Sequence, residues 1–304
     1  MPPSTPRWVL VTGTSTGIGR SLALRLASSG FHVLAGVRKA ADGQSLKSEA
    51  ANGPKGGHIE PVILDVTESD SISAAATCAR QSVGQSGLYA LINNAGVVVP
   101  GPVEHLELSE WRRQFDVNFF GLISLTQHAL PLLRAGVRTH GLHRPRVLLV
   151  SSIGGRVAQP VIAAYTASKW ATTALGDSLR IELRRQGIGV TVIEPGAIAS
   201  AIWGKGEVDS SRLGPAHPAR VLYGPEIDGM AKAAAKAASN ALPAEKAAIQ
   251  IERALLTARA PAHVLVGRDA RIAAFFKRFM PYSLFERILI REFGVAGLAP
   301  ANNR

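Results

Sequence analysis

Short apolar runs recur along the first two thirds of the chain, and between them apolar residues are spaced as in amphipathic helices. The six runs are RWVLVTG, FHVLAGVR, IEPVILDV, LYALINNAG, RVLLVSS and GVTVIEPG. Each is a few residues long and rich in branched side chains, which predicts a strand buried on both faces. Strands that alternate with helices in this way predict an α/β fold, with helices covering both faces of a parallel sheet.

The sequence changes character after residue 200. Residues 201–229 are rich in Gly, Pro and Ser and predict an irregular or lid-like segment. Residues 230–250 are rich in alanine and predict a helix broken at Pro243, and HVLVG predicts one more strand. Because no linker or repeat divides the chain, we expect a single domain over residues 1–304. Its core would be residues 7–200, and residues 201–304 would form an elaborated helical part.

Composition limits the class of protein. Of the 304 residues, 46% are hydrophobic and 18% are charged, which is a globular composition. The single Cys78 excludes an intrachain disulfide and a cysteine-rich metal site, and we expect it to pack in a helix. No apolar run reaches the length of a membrane-spanning helix, and the first residues do not read as a signal peptide. We therefore expect a cytoplasmic protein.

The distribution of charged and metal-ligating residues argues against nucleic acid and against a metal ion as partners. The net charge is +12, but the basic residues are scattered and lack the signature of a nucleic-acid-binding module. Such a surface attracts anionic ligands or lipid headgroups. His140 and His143 precede the fifth run, where no acid or cysteine completes a ligand set, so we predict a surface insertion and no metal site.

A glycine-rich turn, TGTSTGIG, lies between the first predicted strand and the first predicted helix. Gly13 permits a tight turn, while Gly17 and Gly19 let the backbone approach a pyrophosphate and the sheet. The helix N-terminus adds free N–H groups and partial positive charge for that anion. The turn therefore predicts a dinucleotide site. Its expected contact residues are Gly13, Thr14, Ser15, Thr16, Gly17, Ile18 and Gly19.

The end of the second run indicates which dinucleotide is bound. NAD sites usually place an acid about 20 residues beyond the glycines. Val37 occupies that position here and is followed by Arg38 and Lys39. A guanidinium beside an ammonium suits a 2′-phosphate, so we expect NADP(H) to be preferred and NAD(H) to be the second choice. Two solvated loop cations are the alternative interpretation.

Tyr165 and Lys169, in AAYTASKWA, are four residues apart and so share one face of a predicted helix. A core aromatic beside a solvated lysine is the ordinary interpretation of this spacing. The alternative is a proton-transfer pair. A free tyrosine titrates near ~10, and an ammonium one turn away favours the phenolate that neutral-pH base chemistry needs. Such a pair would move a proton to or from an oxygen while a hydride moves at the adjoining carbon.

With the glycine-rich turn, NNAG, paired serines and YTASK in this order, residues 7–200 resemble the classical short-chain dehydrogenase/reductase family. The resemblance implies a Rossmann-type doubly wound sheet and an oxidoreductase that interconverts an alcohol and its ketone or aldehyde. The catalytic tetrad it implies is Asn118, Ser152, Tyr165 and Lys169. Ser152 would bind the substrate oxygen, and Asn118 would hold a water on the proton path. Ser152 is chosen over Ser151 because it lies thirteen residues before the tyrosine, the usual spacing in the family.

The same resemblance implies further cofactor contacts. They are Asp65 and Val66 at the adenine, Asn94 in the cleft, Pro195 and Gly196 at a bend over the nicotinamide, Ile198 at the carboxamide, and Ser200. Ser200 stands where the family often has threonine and keeps its hydroxyl.

IEPGAIASAIW and HVLVGRDAR resemble, more weakly, the branch that contains retinol and hydroxysteroid dehydrogenases. This resemblance implies a bulky apolar alcohol or carbonyl substrate, and the family implies a homodimer or homotetramer formed through the helices bearing Asn118 and Tyr165. A catalytically silent dinucleotide sensor or interaction protein is the competing hypothesis. The four filled tetrad positions favour the enzyme.

Two apolar stripes lie near the C-terminus. The first has the spacing of one helical face and consists of Ile272, Phe275, Phe276 and Phe279. The second follows Pro281 and consists of Leu284, Phe285, Ile288 and Leu289. We expect these stripes to close the substrate pocket or to pack on a partner subunit, because core-facing stripes are the commoner kind. Basic residues fall among them, so peripheral contact with a membrane surface is the less favoured alternative. These basic residues are Arg271, Lys277, Arg278, Arg287 and Arg291.

Overall fold

Seven parallel strands form the central sheet. The computed structural model describes residues 5–52, 57–140, 144–199 and 213–295. The six predicted strands and the additional strand HVLVG are all present. They are β1 (Trp8–Val11), β2 (His32–Val37), β3 (His58–Ile63), β4 (Leu88–Asn93), β5 (Arg146–Val150), β6 (Gly189–Pro195) and β9 (His263–Val266). Two short strands, β7 (Ile198–Ala199) and β8 (Leu242–Pro243), pair with each other outside this sheet.

The strand order creates a crevice at one edge of the sheet. The order is β3-β2-β1-β4-β5-β6-β9, so the chain builds outward from β1 to β3 and then continues from β4 in the opposite direction. The β1–β4 pair is therefore the point at which the winding reverses. Ligands of open parallel sheets bind beyond the carboxyl ends of the strands at such a point. This is the predicted doubly wound arrangement.

Helices cover both faces of the sheet. They are α1 (Gly17–Ser28), α2 (Ala40–Ala51), α3 (Ser69–Val83), α4 (Leu108–Phe115), α5 (Gly121–His140), α6 (Ala163–Glu182), α7 (Arg220–Ser239), α8 (Ala244–Leu256), α9 (Arg268–Phe279) and α10 (Tyr282–Glu292). One π-helical turn, Asp116–Phe120, joins α4 to α5.

Alternation along β1 shows how the sheet divides the core. Val9 and Val11 belong to an apolar cluster that includes residues of α1, α2 and α8. Trp8 and Leu10 point the other way, into a cluster that includes residues of α3 and α5. Successive strand side chains face opposite sides, so each strand contributes to both layers. Cys78 packs against the second cluster from α3, as predicted.

The C-terminal third contains more helix than the sequence indicated. The break at Pro243 is present, since α7 ends at Ser239 and α8 begins at Ala244. The prediction of an irregular segment up to residue 229 is wrong for residues 220–229, which belong to α7. Pro225 is tolerated because the backbone kinks at Tyr223, which leaves the proline in the first turn of the straight part of the helix.

The predicted insertion before β5 is also partly helical. α5 continues to His140, so the part of this insertion that ends at His140 is helical. His143 lies outside the described residues. In the part of the chain that the structure describes, no helix is both long enough and apolar enough to cross a membrane.

The first apolar stripe does not face the core. Ile272, Phe275, Phe276 and Phe279 are exposed by 52%, 59%, 42% and 66%, and α9 buries its small residues Ala270 and Ala274 instead. The second stripe divides between two directions. Phe285 is buried and Leu289 packs against the core cluster that contains Ile227 and Phe293, while Leu284 and Ile288 are exposed. Periodicity correctly predicts one apolar face on α9, but that face turns outward.

Candidate active site

The glycine-rich turn is tied to the loop that follows β4. The Thr12 hydroxyl accepts hydrogen bonds from the backbone N–H groups of Asn94 (2.9 Å) and Ala95 (2.8 Å). In return, the Asn94 amide donates to the carbonyls of Thr12 (2.9 Å) and Gly13 (3.2 Å). Asn94 therefore fixes the turn in addition to lining the cleft.

Two positions in the turn require glycine. Gly13 has a φ of +68°, and a Cβ there would lie 2.9 Å from the Cα of Ala95. Gly19 lies in the first turn of α1, where a Cβ would lie 2.2 Å from the Gly13 carbonyl oxygen. This contact packs the start of α1 directly on the turn. No side chain caps α1, so its first N–H groups stay free to bind an anion.

A cavity of about 690 Å³ extends from this turn along the carboxyl ends of the strands. It brings together most of the residues predicted for the site. Those on its wall are Gly13, Ser15, Thr16, Gly17, Ile18, Arg38, Asp65, Val66, Asn94, Ser152, Tyr165, Lys169, Pro195, Gly196 and Ile198.

Three of the predicted residues that the structure describes are not on this wall. Thr14 is buried, and its hydroxyl donates to the carbonyl of Gly36 at 3.0 Å, so it joins the turn to β2. Gly19 lies beneath the turn, and Asn118 lies behind Lys169. Ser200 lies outside the described residues.

The β2 end of the cavity carries charge of both signs. Val37 is buried, and Arg38 and Lys39 are exposed on the cavity wall. Among the described residues, neither basic side chain has a hydrogen bond or ion pair. Asp42, in the first turn of α2, lies on the same wall and was missed by the sequence analysis.

The loop after β3 forms the neighbouring wall. The Asp65 carboxylate accepts hydrogen bonds from the N–H (3.0 Å) and the hydroxyl (2.7 Å) of Thr67, which closes a tight turn. Val66 follows on the wall.

Lys169 is buried below Tyr165 on α6. Its ammonium donates to the carbonyl of Val150 at 2.9 Å and lies 5.8 Å from the centre of the Tyr165 ring. The side chain is only 5% exposed, and burial lowers the pKa of Lys169 to about 8. Burial raises the pKa of Tyr165 above its ordinary value, and the nearby Ser152 hydroxyl opposes that rise. Both the phenol and the ammonium are therefore mainly protonated at neutral pH.

The two serines after β5 differ in their surroundings. Ser151 is buried, and its hydroxyl donates to the carbonyl of Lys169 at 2.9 Å. Ser152 begins a 3₁₀ turn, where its hydroxyl accepts from the N–H of Gly154 at 3.0 Å and lines the cavity. Ser152 thus faces Tyr165, whereas Ser151 holds the helix that carries the tyrosine and the lysine.

Asn118 lies in the π-helical turn, a feature often found at functional sites. Its amide oxygen accepts from the N–H of Val97 at 2.8 Å, and its Nδ2 donates to the Ser168 hydroxyl at 3.1 Å. Gly96 separates it from the lysine. A Cβ on Gly96 would lie 3.3 Å from Asn118 Oδ1 and 3.5 Å from Lys169 Nζ. The missing side chain at position 96 leaves a gap between two polar groups.

The segment after β6 is held by a residue that the sequence analysis did not name. Asp269, in the first turn of α9, accepts a hydrogen bond from the N–H of Ala197 at 2.6 Å. A Cβ on Gly196 would lie 2.1 Å from this carboxylate, so a larger residue there would displace the Asp269 side chain. A sequence signal was present, because GRDA follows the last predicted strand and the carboxyl ends of parallel strands meet at one edge.

A family model described as short chain dehydrogenase matches residues 7–209. The match covers the strands from β1 to β7 and every residue of the predicted tetrad.

The chain belongs to the short-chain dehydrogenase family.

Curated relatives of this short-chain dehydrogenase match it over about two thirds of its length. The NADPH-dependent 3-dehydrocapnine reductase of Ornithobacterium rhinotracheale is 35% identical over 66% of this chain and 68% of its own. The human protein named short-chain dehydrogenase/reductase family 9C member 7 is 39% identical over 67% of this chain. The matched region spans only 61% of that human protein.

Solved structures share the fold over nearly the whole chain. A short-chain dehydrogenase from Streptomyces avermitilis has a TM-score of 0.73 at 26% identity, with 95% of this chain and 96% of that chain covered. A short chain dehydrogenase from Burkholderia cenocepacia in complex with NADP has a TM-score of 0.68 at 24% identity, with 94% and 98% covered. At this identity the second comparison concerns the fold alone.

Within the described residues of this short-chain dehydrogenase, no group of three His, Cys, Asp or Glu side chains lies close enough to hold a metal ion. The polar groups around Tyr165 are hydroxyl, ammonium and amide groups.

Proposed function

We propose that the chain is an oxidoreductase of the short-chain type that interconverts an alcohol and its ketone or aldehyde, with NADP(H) preferred. The observation that carries this proposal is the shared cavity. Its wall joins a glycine-rich turn at an uncapped helix N-terminus to a tyrosine with a buried lysine beneath it.

The residues at one end of the cavity fit a dinucleotide. The free N–H groups of α1 and the close backbone approach at Gly13 suit a pyrophosphate. Arg38 and Lys39 have no side-chain partner among the described residues and suit the 2′-phosphate of NADP(H). The Asp42 carboxylate on the same wall can accept a hydrogen bond from a ribose hydroxyl, so NAD(H) is the second choice. The name of the Ornithobacterium relative as an NADPH-dependent reductase supports this order.

The remaining cofactor contacts follow the cavity wall. We assign Asp65 and Val66 to the adenine side, and Asn94 to the middle of the cleft. Pro195, Gly196 and Ile198 are assigned to the nicotinamide side, where Asp269 holds the backbone of this segment.

Tyr165 is assigned as the acid and base. Bound NADP(H) supplies or accepts the hydride at the substrate carbon. In the direction of reduction, the Tyr165 hydroxyl gives its proton to the oxygen that gains charge as the hydride arrives. The raised pKa keeps this phenol protonated at neutral pH, which suits that step. Ser152 donates a hydrogen bond to the same oxygen, and the Lys169 ammonium stabilises the phenolate that remains.

Asn118 and Gly96 are assigned to the path that returns a proton to Tyr165. Lys169 already uses one N–H on the Val150 carbonyl, and its remaining N–H groups lie beside the gap at Gly96. A water in this gap would meet Lys169 Nζ and Asn118 Oδ1, and would connect the lysine to a donor beyond the cavity.

The substrate end of the cavity favours an apolar molecule. Val97, Val98, Ile153, Ile162 and Met230 line the wall on the Ser152 side. We therefore propose a bulky apolar alcohol or carbonyl compound of steroid, retinoid or lipid type.

We also propose a homodimer or homotetramer in the cytoplasm. Phe120, the last residue of the turn that contains Asn118, and Trp170, beside Lys169, are large exposed apolar side chains. Large exposed apolar side chains on the helices expected to form the interface favour a protein contact.

The experiment is a nicotinamide absorbance assay with NADPH, NADH and their oxidised forms against a panel of apolar alcohols and ketones. We expect turnover with NADPH that falls to background in Tyr165→Phe, while the variant still binds NADPH. Full activity of that variant would overturn the assignment. Tight NADPH binding without turnover on any substrate would support the catalytically silent sensor, the second candidate, which the filled tetrad positions disfavour.

A further inference from the structure

α9 presents aromatic side chains to solvent in place of burying them. Ile272, Phe275 and Phe279 lie on one face of the helix and are each more than half exposed, while Ala270 and Ala274 on the opposite face are buried. The Phe275 ring lies 4.9 Å from that of Phe279, between ring centres. These rings therefore form a cluster on the outside of the protein.

α10 follows α9 after Pro281 and exposes apolar residues of its own. Tyr282, Leu284 and Ile288 are exposed, whereas Phe285 is buried and Leu289 packs against the core cluster that contains Ile227 and Phe293. The Lys277 ammonium lies 4.8 Å from the centre of the Tyr282 ring and 5.3 Å from that of Phe285. It therefore joins the end of α9 to the start of α10, and each of these helices exposes apolar residues to solvent.

The charge around this cluster is positive. α9 and α10 contain three acids, and two of them are already engaged: Asp269 with the backbone of Ala197, and Glu292 with Lys236 at 2.6 Å. The basic residues of the two helices are Arg268, Arg271, Lys277, Arg278, Arg287 and Arg291. We name the exposed residues Phe275, Phe279, Leu284 and Ile288, with Arg271, Arg278, Arg287 and Arg291, the aromatic–arginine surface.

We propose that the aromatic–arginine surface binds the face of an anionic lipid bilayer, with its rings in the interfacial layer and its arginines at the headgroups. An amphipathic helix with aromatic and aliphatic residues on one face and basic residues beside them has the composition of a helix that lies in a membrane interface. Anionic headgroups complement the arginines, and the acyl boundary accepts the rings that water solvates poorly.

The positive charge of this surface favours an anionic bilayer over a second copy of the chain as its partner. A two-fold contact would bring the same patch against itself, and arginines would then face arginines. The net charge of +12 adds to that repulsion over the whole molecule. A bilayer that contains anionic lipid satisfies both the apolar and the cationic part of the surface.

The test is co-sedimentation of the full chain with vesicles of phosphatidylcholine and phosphatidylglycerol in equal amounts, and with phosphatidylcholine alone. We expect binding to the anionic vesicles and a loss of about tenfold in the partition coefficient when Phe275→Ser and Phe279→Ser are combined. The matched control is Ile63→Ser, because Ile63 is 53% exposed on β3, at the opposite edge of the sheet from β9 and the helix that follows it. This control should bind as the wild type does.

A second measurement separates insertion of the rings from attraction by charge alone. We expect a blue shift of tryptophan emission, and quenching by brominated lipid, in Phe279→Trp but not in Ile63→Trp. The proposal is overturned if the wild type does not bind anionic vesicles, or if it binds as tightly as the double serine variant. It is also overturned if the wild type is a dimer without lipid and the double serine variant is a monomer, because the surface is then a self-interface.

Discussion

The guanidinium of Arg156 holds both carboxylate oxygens of Glu194, with Nε to Oε1 at 2.6 Å and Nη2 to Oε2 at 2.7 Å. Glu194 has no exposed surface and directly precedes Pro195, while Arg156 follows the turn that begins at Ser152. Burial by itself raises the pKa of Glu194, but His263 and Arg156 outweigh that effect and leave the pKa below its ordinary value. One ion pair thus joins the turn that carries Ser152 to the strand end at the cavity.

Glu194→Gln should uncouple these two segments. Breaking a buried ion pair leaves an uncompensated charge, so we expect a loss of about 3 kcal/mol in the free energy of unfolding. We also expect kcat to fall while the enzyme remains folded. The matched control is Glu252→Gln, which breaks the Arg25–Glu252 pair (2.6 Å) between the end of α1 and α8. The control should lose stability without loss of kcat; an unchanged kcat in Glu194→Gln would limit the pair to a structural role.

Burial of Lys169 should make stability depend on pH. Its pKa is about 8 in the folded chain, below the ordinary value of 10.5. Between these values the unfolded chain binds more protons, so the free energy of unfolding rises with pH. Relative to Lys169→Met, we expect the wild type to gain about 2 kcal/mol between about pH 7 and about pH 9.5.

Urea titrations at both pH values measure this difference. The control is Lys47→Met, because Lys47 is exposed on α2 and should leave the wild-type pH dependence intact. Parallel curves for the wild type and Lys169→Met would contradict a buried lysine of lowered pKa.

Removing the two cations at the end of β2 should change cofactor selection. In the combined variant Arg38→Ala and Lys39→Ala, we expect NADPH to bind about tenfold more weakly, because charge-assisted hydrogen bonds to the 2′-phosphate are lost. NADH affinity serves as the internal control and should not change. Asp42→Asn should act in the opposite direction and strengthen NADPH binding. Fluorescence titration measures these affinities. An equal loss of affinity for NADPH and NADH would show that Arg38 and Lys39 do not contact the 2′-phosphate.

Filling the gap at position 96 should slow turnover without affecting cofactor affinity. The Cβ of Gly96→Ala would lie between Asn118 and Lys169 and displace any water there. We expect kcat to fall about tenfold, since small displacements in a catalytic site cost rate steeply. Gly224→Ala is the control, because a Cβ at Gly224 meets nothing within 4 Å. Steady-state kinetics with unchanged kcat in Gly96→Ala would remove this gap from the proton path.

The strands and the placement of the motifs could be read from sequence because they depend on local pattern. Apolar runs predict the seven strands, and parallel strands bring their carboxyl ends to one edge, which is where the glycine-rich turn and Ser152 meet. The direction of the α9 stripe could not be read in this way. Periodicity places Phe275 and Phe279 on one face, but which neighbour covers that face is decided by tertiary packing. The single domain over residues 1–304 stays a prediction, supported by the pairing of β9 with β6.

Sequence motifs identified most residues of the site, but the hydrogen-bond partners of these residues lie on segments that are distant in sequence. Thr14 belongs to the glycine-rich turn, yet its hydroxyl donates a hydrogen bond to the carbonyl of Gly36 on β2. Asp269 reaches Ala197 only because β9 pairs beside β6 and so brings the start of α9 to that edge. Contacts of this kind are not marked by a local motif, so only the position of GRDA after the last predicted strand pointed to Asp269.

The pairing of β9 with β6 also constrains the order in which the protein can be completed during synthesis. β6 ends at Pro195, but the strand that covers its free edge begins at His263. Until that later segment leaves the ribosome, the nascent chain carries an unpaired parallel strand, the kind of edge on which chains aggregate. Asp269 cannot reach Ala197 before then either. The side of the cleft lined by Pro195 and Gly196 is therefore finished late, and we expect a chain released early to be both inactive and prone to self-association.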